Sequence, residues 1–250
     1  MAGRLSVCLA IGGSDSCGGA GIQADLAAFA AHGVRGCTAI TALTAQNPSK
    51  ISRIEASPLA QLEAEIRAAF GYYDVAAVKT GMLLDTAHIS LVASLLGTLH
   101  EGRPVVIDPV LVATSGSRLL DTHALEVLCA ELLPQATLLT PNLPEAAALL
   151  GEEASGDPAE DACRLAMRFH AAVLVKGGHG DGEMLTDMLC DAHGVISVFS
   201  HPRRAWSEAA AHGSGCRLAA ATAAGLARGM ALHDAVERAI DWHQASTSEV

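Results

Sequence analysis

Apolar positions along this chain fall into short, regularly repeating runs. Residues 7–11, 37–43, 76–78, 105–107, 137–139 and 173–175 are rich in Val, Ile, Leu and Ala and are bounded by polar residues or glycine. Such runs predict strands buried on both faces. Between most of them, apolar residues recur three and four positions apart, over 21–32, 59–72, 86–100, 122–132 and 158–170. That spacing predicts amphipathic helices. The alternation predicts an α/β fold, a largely parallel sheet covered on both faces by helices. Residues 184–189 and 195–199 flank the turn-rich Cys190-Asp191-Ala192-His193-Gly194, which predicts a hairpin and one antiparallel edge. Two helices, about 215–228 and 232–243, close the pattern, and residues 245–250 are expected to fray. No linker or repeat interrupts it, so residues 1–250 read as a single domain, with 151–158 a surface loop.

Composition narrows the function. Half of the 250 residues are hydrophobic, which excludes a disordered chain. Only 3% are aromatic, and 16 Lys+Arg stand against 27 Asp+Glu for a formal charge of −11. A nucleic-acid surface needs stacking rings and basic residues, so that class is excluded. A phosphorylated ligand remains possible where glycine amides, a lysine or a metal reverse the field locally. The seven cysteines show no C-x-x-C spacing, which argues against a zinc site; a disulfide framework is not expected, and a reducing cytoplasm is the expected compartment. No apolar run approaches a membrane span, and Gly12 to Asp15 end the first run too soon for a signal peptide.

Three groups of residues carry candidate chemistry. Gly12-Gly13-Ser14-Asp15-Ser16-Cys17-Gly18-Gly19-Ala20-Gly21 joins a strand to a helix, where a glycine backbone can approach a ligand; a plain flexible turn is the alternative. Gly213-Ser214-Gly215-Cys216 opens a helix, which suits an anion nest, and puts Cys216 where a thiol is readily acidified; a loop with a buried cysteine is the alternative. Asp108, Asn142 with Glu145, and Lys176 stand at strand ends, where open α/β sheets bind ligands. Two carboxylates and a lysine there suit a magnesium nucleotide, although Glu145 also fits as a helix cap. Gln46 follows an apolar run and could read a heterocycle edge, with loop polarity the plainer reading; Met82, on the same grounds, reads as core.

In this order the segments resemble the hydroxymethylpyrimidine/phosphomethylpyrimidine kinases of thiamine biosynthesis. The resemblance rests on Gly13-Ser14-Asp15, Gly18-Gly19-Ala20-Gly21-Ile22-Gln23-Ala24-Asp25, Ile40-Thr41-Ala42-Leu43-Thr44-Ala45-Gln46-Asn47 and Val78-Lys79-Thr80-Gly81-Met82-Leu83. It continues through Val106-Ile107-Asp108-Pro109-Val110, Thr140-Pro141-Asn142 with Glu145-Ala146, Val175-Lys176-Gly177-Gly178-His179 and His212-Gly213-Ser214-Gly215-Cys216. It spans nearly the whole chain. It implies a ribokinase-like three-layer α/β/α sandwich, its sheet mostly parallel with an antiparallel edge hairpin. It implies transfer of the ATP γ-phosphoryl to 4-amino-5-hydroxymethyl-2-methylpyrimidine and then to its monophosphate.

By the same resemblance Gln46 would bond the aminopyrimidine, and Gly13, Ala20, Asp25, Met82 and Val110 would line its pocket. Gly213, Ser214, Gly215 and Cys216 would form the catalytic anion hole, with Cys216 in the place of a base. Asn142 and Lys176 would meet the ATP phosphates, and Asp108 and Glu145 would hold Mg²⁺. The implied partners are these small molecules alone, with no nucleic acid or membrane; a homodimer is open. The chain departs from the family pattern at Cys17, Ala27, Thr114 and Arg217 and across 207–211; Arg217 becomes a candidate phosphate ligand. Two other readings stay open, a pyridoxal or pyridoxine kinase and a non-catalytic pyrimidine-binding paralogue.

Overall fold

The computed structural model describes residues 5–111, 120–151, 155–179 and 182–246. Among the described residues, nine strands form one sheet. They are β1 (Val7–Asp15), β2 (Arg35–Asn47), β3 (Lys50–Ala56), β4 (Val75–Thr80), β5 (Val105–Ile107), β6 (Leu138–Leu139), β7 (Ala172–Val175), β8 (Met184–Cys190) and β9 (Ile196–Pro202). The order is β3-β2-β1-β4-β5-β6-β7-β8-β9. From β2 to β7 neighbouring strands pair in parallel, and the β8–β9 hairpin adds the antiparallel edge. The opposite edge is antiparallel too, because β3 folds back on β2 around a turn in which Asn47 Oδ1 accepts the amides of Ser49 and Lys50. That strand escaped the apolar pattern because most of its residues are exposed and need no apolar run.

Alternation along the strands divides the core. Leu9, Ile11, Val78, Val105, Ile107, Val173 and Val175 pack against α2 (Leu59–Tyr72), α3 (Thr86–Leu99), α4 (Thr122–Val127), α5 (Leu143–Leu150) and α6 (Pro158–Phe169). Cys8, Ala10, Ala77, Val106, Leu138 and Leu174 face α1 (Gly21–Ala31), α8 (Ser214–Ala227), which follows the short α7 (Glu208–Ala211), and α9 (Leu232–Ser246). The second face is built of small side chains, with Ala219, Ala220, Ala221, Ala223 and Ala224 of α8 buried on it. Small residues on both sides let α8 lie close to the sheet, and its first turn reaches the strand ends.

Two boundaries differ from the sequence pattern. The helix expected over 122–132 tightens and widens in turn: α4 stops at Val127, a π turn spans Leu128–Leu132, and a 3₁₀ turn containing Pro134 follows. The final helix continues through Ala245, so fraying does not begin where expected. One pair of cysteines is also joined, contrary to expectation: α6 packs under β8, bringing Cys163 and Cys190 together in a disulfide with Cα atoms 5.3 Å apart. No described helix is long and apolar enough to cross a membrane.

Candidate active site

The strand order reverses between β1 and β4, and a cavity of about 680 Å³ opens at the carboxyl ends of the strands around this point. Apart from Arg217, every site residue expected from the sequence lines it: Gly13, Ala20, Asp25, Gln46, Met82, Asp108, Val110, Asn142, Glu145, Lys176 and the Gly213-Ser214-Gly215-Cys216 turn. Met82, read as core by residue type, is thus a cavity wall; its Cε lies where a Cβ on Gly13 would clash at 2.4 Å.

At one end, α8 starts from Gly213, whose φ of 73° is the left-handed conformation that favours glycine. A Cβ at Gly215 would stand 2.9 Å from Lys176 Nζ, so only glycine lets the ammonium come this close to the turn. Cys216 lies in the first turn, but acidification by the helix start does not prevail. Burial, with the charges of Asp108 and Asp25, pushes its thiol up to about 11 against the pull of Lys79. The expectation of a thiolate in the free protein is corrected accordingly: the dipole of one helix end is outweighed by desolvation. Arg217 is corrected as well. It donates to the carbonyls of Gly19 and Ala210 and stays out of the cavity wall.

The strand ends gather two buried acid–lysine pairs. Asp25 of α1 and Lys79 of β4 are fully buried, with Nζ 2.8 and 3.0 Å from the two carboxylate oxygens. Asp108 accepts from Lys176 Nζ at 2.9 Å and from Thr140 Oγ1 at 3.1 Å. The ammonium groups of Lys176 and Lys79 hold its carboxyl below the usual range although burial opposes them. Glu145 stands beside this second pair. Its Oε2 accepts the Asn142 amide at 2.9 Å, while Asn142 Oδ1 accepts the Glu145 amide at 2.9 Å. This capping box starts α5 and shows Glu145 and Asn142 acting as caps while facing the cavity. Burial, reinforced by Asp108 and opposed by Lys176, pushes Glu145 up to about 7.

Asp108 and Glu145 both line the cavity beside Lys176, and burial is the main reason Glu145 is raised. Hard oxygen donors, few in number, fit Mg²⁺, which takes one or two carboxylates and completes its shell with phosphate and water. Outside the cavity lining, among the described residues, His233, Asp234 and Glu237 cluster on the exposed surface of α9. Gln46 is half-buried in β2 and lines the cavity, and its main chain exchanges hydrogen bonds with Ser16 Oγ, both at 3.0 Å.

Sequence reasoning missed several groups. Lys79 ends an apolar strand, and a lysine at such a place needs a counter-ion; that signal was legible, its partner Asp25 was not. Asp187 accepts the Gly177 amide at 2.7 Å and lies 3.3 Å from His201 Nε2; His201, Trp206 and His243 line the far end of the cavity. Nothing local in the sequence distinguishes these from surface histidines. Thr114 lies outside the described residues.

A mostly parallel sheet with a cavity at the strand-order reversal, bordered by a glycine turn at a helix start and by a lysine–aspartate pair, is an arrangement suited to a small-molecule phosphotransferase. The phosphomethylpyrimidine kinase family model matches residues 15–249, and the chain belongs to that family. It is 44% identical over 246 residues to a hydroxymethylpyrimidine/phosphomethylpyrimidine kinase of Rhizobium meliloti, covering 97% of this chain and 91% of that one. It is 42% identical over 233 residues to a thiamine biosynthesis bifunctional protein, ThiED, of Geobacter sulfurreducens, covering 92% of this chain and 47% of that one. A Bacillus subtilis pyridoxal kinase solved as an ADP complex superposes with a TM-score of 0.84 at 32% identity, covering 96% of this chain and 90% of that chain.

Proposed function

We propose that this chain, acting as one kinase unit, transfers the γ-phosphoryl of ATP to 4-amino-5-hydroxymethyl-2-methylpyrimidine and then to its monophosphate, supplying thiamine diphosphate synthesis. The observation that carries the reading is convergence: residues scattered from Gly13 to Cys216, among them Gln46, Asp108, Lys176 and the glycine turn, line one cavity. Gln46 presents an amide with donor and acceptor to the aminopyrimidine, and Gly13, Ala20, Met82 and Val110 shape the surrounding wall. Lys176 and the amides of Gly213 to Cys216 neutralise charge on the phosphoryl in flight, which together with positioning is most of what phosphoryl transfer requires. Asn142 borders the same phosphates. Asp108 and Glu145 would hold Mg²⁺, which would supply Lewis-acid neutralisation of the polyphosphate. Cys216 accepts the hydroxyl proton as thiolate. That form is a small population in the free protein, and it grows when positive charge offsets Asp108, one cause of the raised thiol.

ADP release with the pyrimidine alcohol, then with its phosphate, tests the reading. Turnover with pyridoxal alone would favour the second reading, which the superposition on a pyridoxal kinase motivates. Pyrimidine binding without ADP release would favour a non-catalytic paralogue. For Cys216, Cys216→Ser should lower kcat by about 10²–10⁴-fold, the usual worth of a positioned base. The rise of kcat with pH above neutrality should vanish with it. Full turnover in that variant would leave Cys216 a packing residue.

A further inference from the structure

Two turns that meet at the middle of the cavity are 197 residues apart in sequence and are held by one polar hub. Asp15 is 2% exposed and ends β1. Its Oδ1 accepts the Cys17 amide and its Oδ2 the Ala20 amide, each at 2.8 Å. His212 Nε2 also lies 2.8 Å from Oδ2. These donors hold the carboxyl below its ordinary range although burial opposes them, so Asp15 is an acceptor and His212 Nε2 carries the hydrogen.

The ring that makes this bond is itself wedged in place. A Cβ at Gly19 would come within 2.6 Å of His212 Cδ2, and a Cβ at Gly213 within 2.1 Å of the Gly19 carbonyl oxygen. Arg217, in the first turn of α8, donates to that same carbonyl at 3.2 Å. His212 Nδ1 is buried with no hydrogen-bond partner among the described residues. An orphaned buried nitrogen is costly, and the ring keeps its place through the single bond to Asp15.

We propose that His212 is a positioning residue. Through Asp15 it clamps the 16–20 turn, which leads into Ala20 and α1, against the turn that forms the anion hole. The clamp keeps the heterocycle end and the phosphoryl end of the cavity in one register. Its catalytic consequence rests on the kinase reading above; the clamp itself does not. Displacement of a substrate by about 1 Å costs on the order of 10²-fold in rate, which sets the scale of the expected effect.

The test compares His212→Leu, His212→Gln and Gly19→Ala with the parent. Leucine removes the N–H to Asp15, whereas glutamine can return an amide N–H near the place of Nε2. Alanine at 19 keeps every polar group but pushes the ring away. His212→Leu and Gly19→Ala should lose about 10²-fold in kcat/KM for the pyrimidine at unchanged ATP affinity, and His212→Gln should regain most of that loss. Amide exchange in ligand-free protein should quicken at Cys17 and Ala20 in the two loosened variants only. The proposal is overturned if His212→Leu and Gly19→Ala keep full turnover, if His212→Gln is as poor as His212→Leu, or if ATP affinity falls in step. Unchanged exchange at Cys17 and Ala20 also overturns it, whether or not the parent is active. Absence of ADP release in the parent counts against the kinase reading alone. Should His212→Leu fail to fold, Gly19→Ala and His212→Gln decide the question.

Discussion

The two acid–lysine pairs under the cavity are built from the same groups, at nearly the same distances, and differ in their surroundings. Asp25 and Lys79 pair one to one and are fully buried where they border the cavity, with side chains 1% and 0% exposed. Asp108 and Lys176 are 4% and 13% exposed and have Glu145 beside them. The first pair is a strut between α1 and β4. The second has a further carboxylate, Glu145, beside it and is the more exposed of the two. A buried ion pair is by itself weak evidence of function; the further carboxylate next to it is what marks a site.

Breaking the strut should have the largest effect. Burial already raises Asp25 to about 6 against the pull of Lys79, so Lys79→Met forces the buried carboxyl to take up a proton or stay charged without a partner, and losing one partner of a buried pair costs about 3–5 kcal/mol. Urea denaturation should show that loss, and Lys79→Met with Asp25→Leu should recover most of it. Equal destabilisation in the double variant would show that the pair does not act as a unit.

The open pair should respond in rate more than in stability. Asp108→Asn is expected to lower kcat by roughly 10²-fold, the scale seen when one preorganised charge-handling group is removed. It should also raise the Mg²⁺ concentration needed for half-maximal rate. A parent rate independent of divalent cation would remove the magnesium role from Asp108 and Glu145.

Gln46 sharpens the contrast from the heterocycle end. Gln46→Leu leaves ligand polar atoms unpaired, at about 1–3 kcal/mol. Calorimetry should place that loss in pyrimidine affinity, with ATP affinity unchanged. Equal losses for both ligands would move Gln46 out of the substrate pocket.

Glu145 also makes stability depend on pH. Glu145 has its ordinary value of 4.5 in the unfolded chain and about 7 in the folded one. The folded state therefore binds the proton more tightly, and this stabilisation is complete below 4.5 and fades as pH rises through about 7. The urea midpoint should fall over that window without divalent cation. Glu145→Gln, which keeps a capping residue at the same position, should flatten the curve. An unchanged slope would assign it to other groups.

Much of the fold was legible because buried parallel strands must be apolar throughout and the helices between them must be one-sided. The elements around Val7, Val105 and Val173 follow from that requirement alone. The exposed strand Lys50–Ala56 was not legible, since an edge facing water imposes no apolar pattern. The candidate residues could be named one by one, as glycine turns and as polar groups at strand ends. Their convergence in a single cavity follows from the sheet order, which juxtaposes residues far apart in sequence.

By itself the sequence determined the alternation of strands and helices, the glycine turns, and the residue types able to meet phosphate and a heterocycle. Those are local properties, set by side-chain periodicity and backbone freedom within a few positions. Tertiary structure alone decided that Lys79 is neutralised by Asp25, that Asp15 is bound by His212, and that Cys216 is a protonated thiol in the free protein. Each of these depends on burial and on charges brought from distant segments, and desolvation has no signature in the linear order of residues.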